Sequence, residues 1–317
     1  MILFSCTNRA YQDVSLVWAH SFKNSCEKFE NNKKFTPILF CTTDVDTELF
    51  ADTGIEIRYL PTIGGVEEGL FNQTTTEGMV MRLKAMDLLH AEGVEKVAYM
   101  DTDTLIRGDI SELLLAPLTP EKPIAAASDF VYIDDDRLGS TYQQIVPDYP
   151  RRTSINKKYF NSGVMVLLLR PLVEETKRYG CTSLESFYLK HKEMCRFPDQ
   201  DALNKLAREY VGLPRRYNFF PELHIFAIMS SDELMHHRAR IFREGVIVHF
   251  LSLFKPWVKH DYVNTATMQV PFEMYWEALK PIRHKLSPSF VENVRYNVET
   301  HRIIIEQARH GHYNAED

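Results

Sequence analysis

Two acidic residues, Asp101 and Asp103, follow directly on the apolar run 97–100 and have the spacing of a metal site. The run is typical of a strand buried on both faces of a parallel sheet, and ligands of open α/β sheets bind beyond the carboxyl ends of such strands. If the chain stays extended, both carboxylates point the same way, which suits Mg²⁺ or Mn²⁺ together with substrate phosphates. The alternative is an acidic strand-to-helix turn, in which Asp109 caps a helix over residues 110–115.

The elements that would position these residues alternate between strands and helices, which predicts βαβ units and a parallel sheet. The pair Thr182 and Glu185 is a candidate capping box, and so is the pair Ser230 and Glu233. Predicted strands cover residues 2–6, 37–41, 55–60, 97–100, 124–127, 164–169 and 246–251, and predicted helices cover 13–29, 46–52, 79–91, 110–115, 183–194, 200–209, 271–286 and 289–310. The polar stretch 132–158 is predicted to be a surface excursion.

Composition restricts the class of protein. The 317 residues are 44% hydrophobic and 25% charged, which predicts a folded chain with a sizeable core. A net charge of −6 argues against a nucleic-acid partner, and no apolar run is long enough to span a membrane. The chain starts with an apolar segment and no basic leader, and its five cysteines form no Cys-x-x-Cys pair, so we expect a cytoplasmic protein with reduced thiols.

Further polar motifs stand where predicted strands end or helices begin. Each has an ordinary structural explanation: Asn161 could cap a turn, Asp199 could be a helix N-cap, His249 could be a core histidine and Lys255 could lie on the surface. The motifs are Ser5-Cys6-Thr7-Asn8, Asn161-Ser162-Gly163, Asp199-Gln200-Asp201 and the block from His249 to Lys255-Pro256-Trp257.

Taken together and in this order, the motifs resemble the glycogenin-like retaining glycosyltransferases of glycosyltransferase family 8. The resemblance covers about residues 1–257 and departs from the family at Ser252, where Gly is usual, and in the stretch 132–158. The matching pieces are Met100-Asp101-Thr102-Asp103-Thr104, Phe160-Asn161-Ser162-Gly163-Val164, Asp199-Gln200-Asp201-Ala202-Leu203-Asn204, the His249 block, Cys6-Thr7-Asn8 with Ala10-Tyr11, Arg82-Leu83-Lys84 and Asn218-Phe219.

The resemblance implies a Rossmann-like nucleotide-diphospho-sugar transferase fold of the GT-A type. A catalytic domain would span residues 1–257 and a helical extension 258–317. An apolar stripe on the last predicted helix would pack on the body, with a homodimer contact or a membrane-surface face as alternatives.

The resemblance also implies a role for each matching residue. Asp101, Asp103 and His249 would ligate Mn²⁺ (or Mg²⁺), while Lys255 would contact the diphosphate of a UDP-sugar. Ser252, which departs from the family, is a further candidate: either its hydroxyl donates to the diphosphate, or its backbone is strained at a position where glycine is usual. Asp199, Gln200 and Asn161 are the candidate catalytic residues, although a front-face route in which the departing phosphate helps to deprotonate the acceptor needs no protein base. Ser5, Thr7, Asn8 and Tyr11 would hold the uridine, and Arg82, Thr102, Asp129, Asn161, Ser162, Asp199 and Gln200 would complete the donor site.

The implied function is metal-dependent, retaining transfer of glucose or galactose from a UDP-sugar to an acceptor. The acceptor would be a glycan, a protein or a tyrosine of this chain, the last by self-glucosylation as in glycogenin. An inactive sugar-nucleotide-binding scaffold is the alternative from another class. A metal phosphoesterase would need more metal ligands and a base that activates water.

Overall fold

The computed structural model describes residues 1–61, 73–129, 159–195, 197–221, 244–251, 255–259 and 269–309, with backbone only for 73–76, 269–270 and 301–309. Its strands are β1 Ile2–Thr7, β2 Thr36–Cys41, β3 Glu56–Tyr59, β4 Lys96–Met100, β5 Thr104–Ile106, β6 Ile124–Ser128, β7 Phe160–Leu168, β8 Val211–Gly212 and β9 Ile247–His249. Its α-helices are α1 Gln12–Lys28, α2 Gln73–Ala91, α3 Leu169–Lys177, α4 Leu184–His191, α5 Pro198–Leu206, α6 Gln269–Leu279 and α7 Pro288–Arg309.

Seven of these strands form the central sheet, in the order β3-β2-β1-β4-β7-β6-β8. Strands β1 to β4 are parallel neighbours, as the alternating pattern predicts, and β8 is parallel to β6. Strand β7 instead runs antiparallel to both β4 and β6. The sequence pattern could not show this difference, because β7 is buried on both faces and its periodicity reports burial and not direction.

The ladder between β6 and β7 is irregular at the end of β7 that carries Asn161, Ser162 and Gly163. Ala126 pairs with Met165, but Ser128 pairs with Phe160, where a regular ladder would pair it with Gly163. An irregularity of this kind re-aims the side chains of the bulged strand. The Asn-Ser-Gly motif therefore lies in a distorted stretch of strand and not in a loop.

Two hydrophobic clusters cover the two faces of the sheet. Helices α2, α3, α4 and α5 contribute to one, for example through Leu83, Phe187 and Leu203. Helix α1 contributes to the other, together with α6 and α7, which add Tyr275 and Val294. The C-terminal helices thus share a core with the sheet, and the division of the chain at residue 257 stays a prediction. Among the described residues no helix has the length and hydropathy needed to span a bilayer.

A second, two-stranded sheet lies beside the carboxyl end of β4. Strand β5 pairs antiparallel with β9, and Thr104 is the partner of His249. The predicted last strand, 246–251, is shorter than expected and is not part of the central sheet. This small sheet places His249 next to the residues that immediately follow β4.

Several helix boundaries differ from the predicted ones. The capping box uses Ser183 and Ser186, and the prediction of Thr182 with Glu185 is wrong. The backbone N–H groups of Leu184 and Glu185 instead donate to the carboxylate of Asp87 on α2. The predicted helix 110–115 is a 3-10 helix, Ser111–Leu115, and Asp109 accepts a hydrogen bond from the N–H of Ser111. The predicted excursion 132–158 and the helix that Ser230 would cap lie outside the described residues.

Candidate active site

Three side chains converge where the central sheet meets the small sheet. His249 Nε2 lies 3.0 Å from Asp103 Oδ1 and 3.6 Å from Asp101 Oδ2. One ligand atom from each of the three residues lies within 4.8 Å of the others. Asp103 Oδ1 and His249 Nε2 are buried, and neither has a hydrogen-bond partner among the described residues. Two buried, unsatisfied ligand atoms facing each other at this distance fit a divalent cation held between carboxylates and an imidazole.

The convergence comes from a turn, and not from the extended path that the sequence suggests. The chain leaves β4 at Met100 and turns at residues 102–103, and the Thr104 hydroxyl donates to the carbonyl oxygen of Asp101 at 2.7 Å. The N–H of Asp101 donates to the Gly163 carbonyl at 2.7 Å, which ties the turn to β7.

Gly163 lies directly against the cluster, and its lack of a side chain leaves space for His249 and Asp101. A Cβ atom at this position would lie 2.0 Å from His249 Cε1, 2.6 Å from His249 Nδ1 and 2.9 Å from Asp101 Oδ2. No side chain fits at such distances, so the glycine of the Asn-Ser-Gly motif allows β7 to pass directly beside the three converging side chains.

Arg82 on α2 connects the carboxylate cluster to α5. Its Nη2 lies 2.7 Å from Asp101 Oδ1, and its Nη1 lies 3.0 Å from Asp199 Oδ2. Its guanidinium also lies over the ring of Tyr99, 4.5 Å from the centroid, and the Tyr99 hydroxyl donates to Asp101. A planar, permanently charged side chain with several donors is suited to such a bridge.

A buried hydrogen-bond network extends from Arg82 along β7. The Ser162 hydroxyl donates to Asp199 Oδ2 at 2.7 Å, and the Ser162 N–H donates to Gln200 Oε1 at 3.0 Å. Gln200 Nε2 donates to Asp129 Oδ2 at 2.9 Å, and Asn161 Nδ2 donates to Gln200 Oε1 at 3.2 Å. Five of the polar side chains that were predicted for the donor site therefore form one connected group with Arg82.

Lys255 supplies a cation on the other side of the cluster. Its Nζ pairs with Asp103 Oδ2 and donates to the carbonyl oxygen of Phe250. The segment that carries Lys255 is held by α7, because Asn297 Nδ2 donates to the carbonyl oxygens of Pro256, at 2.8 Å, and Val258, at 2.7 Å. The ring of Trp257 stacks on Phe290 of the same helix.

The two neighbouring aspartates have opposite pKa shifts. Burial raises the pKa of Asp101, and the charge of Arg82 offsets only part of that effect. Burial also opposes ionisation of Asp103, but its contacts with Lys255 and His249 outweigh that effect, so the pKa of Asp103 is lowered. Asp103 is therefore the more readily ionised of the two carboxylates.

An open cavity lies beside the cluster. It collects Thr7, Asn8, Tyr11, Arg82 and Thr102 as the sequence predicts, together with both aspartates of the cluster. Four residues that were not predicted as site residues also line it, namely Cys6, Gly78, Met79 and Tyr99. Burial raises the pKa of the Cys6 thiol, which keeps it protonated.

One residue predicted to hold the uridine, Ser5, does not line the cavity. Ser5 is fully buried within the paired part of β1 and is not among the cavity-lining residues, because only the carboxyl end of the strand reaches the cavity. Ser252 lies outside the described residues.

Comparison with protein families shows the family to which the chain belongs. Residues 6–261 match the family model described as glycosyl transferase family 8. This chain belongs to glycosyltransferase family 8. The predicted family membership is confirmed, and the family model includes every residue of the cluster.

Two curated proteins are similar to parts of this chain. A lipopolysaccharide 1,2-glucosyltransferase of Escherichia coli is 30% identical over 193 residues, which are 59% of this chain and 50% of that protein. General stress protein A of Bacillus subtilis (strain 168) is 28% identical over 218 residues, covering 66% of this chain and 70% of that protein. The chain spans about half the length of the glucosyltransferase that it matches.

Solved structures share the fold. The galactosyltransferase LgtC in complex with donor and acceptor sugar analogs has a TM-score of 0.57 at 19% identity, covering 90% of this chain and 100% of that one. The glycosyltransferase GlyE of Streptococcus pneumoniae TIGR4 has a TM-score of 0.54 at 19% identity, covering 95% of this chain and 64% of that one. The predicted GT-A type fold, an α/β architecture with a mostly parallel central sheet, is confirmed.

Proposed function

We propose that this member of family 8 transfers a hexose, glucose or galactose, from a UDP-sugar to an acceptor with retention of anomeric configuration. The observation that carries the proposal is the convergence of Asp101, Asp103 and His249 at the edge of the cavity. These residues would hold Mn²⁺ or Mg²⁺, which when bound neutralises the diphosphate of the donor and stabilises the departing UDP.

The residues in and around the cavity divide into groups by position. Thr7, Asn8 and Tyr11, at the carboxyl end of β1, would hold the nucleoside. Lys255, on the opposite side of Asp103, would move to the diphosphate as a point charge once a divalent cation balances the carboxylates. Arg82, Asp129, Asn161, Ser162, Asp199 and Gln200 would orient the sugar.

The surroundings of Asp199 favour the front-face route over a covalent intermediate. Its Oδ2 atom already accepts the Ser162 hydroxyl and pairs with Arg82. Both contacts withdraw charge from that oxygen, which weakens it as a nucleophile. We therefore propose that Asp199 holds Arg82 and Ser162 in place, and that the departing phosphate takes the proton of the acceptor.

The acceptor that we propose is a glycan separate from the chain. The support is that two of the curated relatives are lipopolysaccharide 1,2-glucosyltransferases of Escherichia coli. Self-glucosylation of a tyrosine is distinguished by intact-mass spectrometry after incubation with the donor, since only that activity adds a ladder of hexoses to the protein.

The first experiment is a screen of UDP-hexoses for UDP release with Mn²⁺, with Mg²⁺ and with EDTA. We expect slow hydrolysis of one UDP-hexose with either metal and none with EDTA. The variant Asp103→Asn should lower turnover by about two to three orders of magnitude, the usual effect of one lost electrostatic stabiliser. Equal turnover in EDTA would exclude the metal site, and binding of UDP-sugar without any hydrolysis or transfer would favour the inactive scaffold.

The stereochemistry of transfer is tested on the product. Proton NMR of its anomeric doublet should show the small coupling of an α-linkage. A large diaxial coupling would mean inversion and would exclude a retaining enzyme.

A further inference from the structure

The amide of Asn161 has a fixed orientation because a backbone group defines it. The N–H of Gly163 lies 2.9 Å from the side-chain atom assigned as Asn161 Oδ1, and a backbone N–H can only donate. That atom is therefore the oxygen. Asn218 Nδ2 lies 2.9 Å from the same oxygen, so the atom of Asn218 that faces Asn161 must be the amino nitrogen.

This orientation decides which nitrogen of His249 carries a proton. With its amino group toward Asn161, Asn218 presents its Oδ1 to His249 Nδ1 at 2.8 Å. An amide oxygen only accepts, so Nδ1 must donate. In the neutral imidazole, Nε2 then carries the lone pair, and it is Nε2 that faces Asp101 and Asp103.

Asn218 is itself rigidly held. Its side chain is fully buried, and its N–H donates to the carbonyl oxygen of Arg215 at 3.0 Å. The next residue, Phe219, forms a parallel bridge with Val248 of β9, and the N–H of His249 donates to the Phe219 carbonyl at 2.8 Å. The amide and the imidazole are thus carried by two backbone segments that are hydrogen-bonded to each other.

We propose that Asn218 is a positioning residue that holds His249 as a cation ligand and connects the cation site to the sugar-facing amide of Asn161. The proposal rests on the proposed function, since it assumes that Asp101, Asp103 and His249 bind a divalent cation. Partners that orient a metal-binding histidine typically contribute about 10–100-fold to metal affinity. The second contact, to Asn161, gives Asn218 an effect on the donor sugar as well.

Two substitutions separate the two contacts. Asn218→Leu removes both. Asn218→Asp keeps an acceptor for His249 Nδ1–H but places a carboxylate oxygen against Asn161 Oδ1. Asn161 cannot relieve this repulsion by rotating its amide, because its amino group would then face the N–H of Gly163. Asn32→Ala is the control, since Asn32 is an equally buried asparagine that bonds to Ser25, Gly108 and Ile110.

The experiment is a Mn²⁺ titration followed by electron paramagnetic resonance, together with calorimetry of UDP and UDP-glucose binding. We expect Asn218→Leu to raise the Kd for Mn²⁺ about 10–100-fold and to weaken the ¹⁴N modulation from His249 in the electron spin-echo signal. Asn218→Asp should keep the Mn²⁺ affinity of wild type but lose affinity for UDP-glucose relative to UDP. Asn32→Ala should change neither quantity.

Wild-type Mn²⁺ affinity in folded Asn218→Leu would overturn the inference while leaving the proposed function intact. So would an unchanged ratio of UDP-glucose to UDP affinity in Asn218→Asp, which tests the second contact even if the leucine variant does not fold. A wild-type protein that binds no Mn²⁺ would overturn both the cation site and the role of Asn218.

Discussion

Arg82 and Asp199 form an ion pair inside the protein, with Nη1 3.0 Å from Oδ2 and side-chain exposures of 6% and 4%. Removing one partner of a buried ion pair leaves the other charge uncompensated, which costs about 3–5 kcal/mol. The pair therefore constrains how either residue can take part in a reaction. Asp199 cannot act as a free carboxylate unless Arg82 moves to another anion, such as a donor phosphate.

This arrangement gives a test of the reaction route at Asp199. We expect Asp199→Ala to slow transfer by about 10²–10³-fold, because an electrostatic support is lost, without abolishing it. Added azide should give no rescue and no β-glycosyl azide, as measured by mass spectrometry and NMR. The variant Asp201→Asn, on the same helix as Asp199, disturbs the hydrogen bond from the Tyr159 hydroxyl and controls for local disorder. Formation of β-glycosyl azide with Asp199→Ala would establish a covalent intermediate instead.

The close passage of β7 predicts a severe effect of a single methyl group. In Gly163→Ala the new Cβ would lie 2.0 Å from His249 Cε1, so the imidazole or the strand must shift. We expect the hydrolysis of UDP-sugar to fall at least about 100-fold, since displacement of a ligand by 1 Å can have that effect. The control is Gly212→Ala in β8, where the added Cβ meets nothing within 4 Å. Equal activity of Gly163→Ala and wild type would mean that the backbone is differently placed.

Asp87 predicts a pH dependence of stability. Burial raises its pKa from 3.8 to about 6, although it accepts hydrogen bonds from two backbone N–H groups of α4. The native state then binds more protons than the unfolded state between about pH 4 and pH 6, so this residue's contribution to the free energy of unfolding falls as the pH rises through that window. At 1.36 kcal/mol per pKa unit, the fall is at most about 2–3 kcal/mol.

The measurement is urea unfolding of wild type and Asp87→Asn at several pH values from 4 to 7. The difference in free energy, wild type minus variant, should decrease with rising pH and become constant above about pH 7. Comparing differences removes the contribution of all other titrating groups. A difference that does not change with pH would show that the hydrogen bonds to α4 offset the burial of the carboxylate.

The contact between α7 and the Lys255 segment predicts a combined effect on stability and binding. Asn297→Ala would leave the carbonyl oxygens of Pro256 and Val258 without these hydrogen bonds, which should lower the free energy of unfolding by about 1–3 kcal/mol. We also expect the KM for UDP-sugar to rise, because Lys255 loses its fixed position. Arg295→Ala on the same helix, which removes only an exposed pair with Glu292, should change neither. An unchanged KM in Asn297→Ala would show that the contact with α7 does not affect donor binding.

The part of the site that follows strand ends was predictable. Asp101 and Asp103 could be found because an apolar run stops at them, and Asp199 because it stands at a helix N-terminus, where α5 does begin. His249 was recognisable only through the order of motifs, since a histidine in an apolar strand is usually part of the core. Its convergence with the aspartates depends on the pairing of β5 with β9, which no local pattern encodes.

Other parts could not be predicted because they depend on long-range packing. Asn218 matched the family pattern, but nothing local shows that its amide meets His249, 31 residues away. Gly78 and Met79 line the cavity only because α2 lies against it. The start of α4 is capped by Ser183 and also bonded by Asp87, which belongs to another helix, so its boundary depends on a residue that is distant in the sequence.

The irregular ladder at the start of β7 has a consequence for protein engineering. Beyond the distorted stretch, Val164 and Val166 face one core while Met165 and Leu167 face the other. Deleting or inserting one residue among 161–163 would shift the register on one side of the change: either these two sets exchange faces, or the side chains before them do. Libraries that aim to change donor preference here should therefore vary side chains at constant length. A transplanted segment that carries the same three residues should also keep the number of residues between them and Val164.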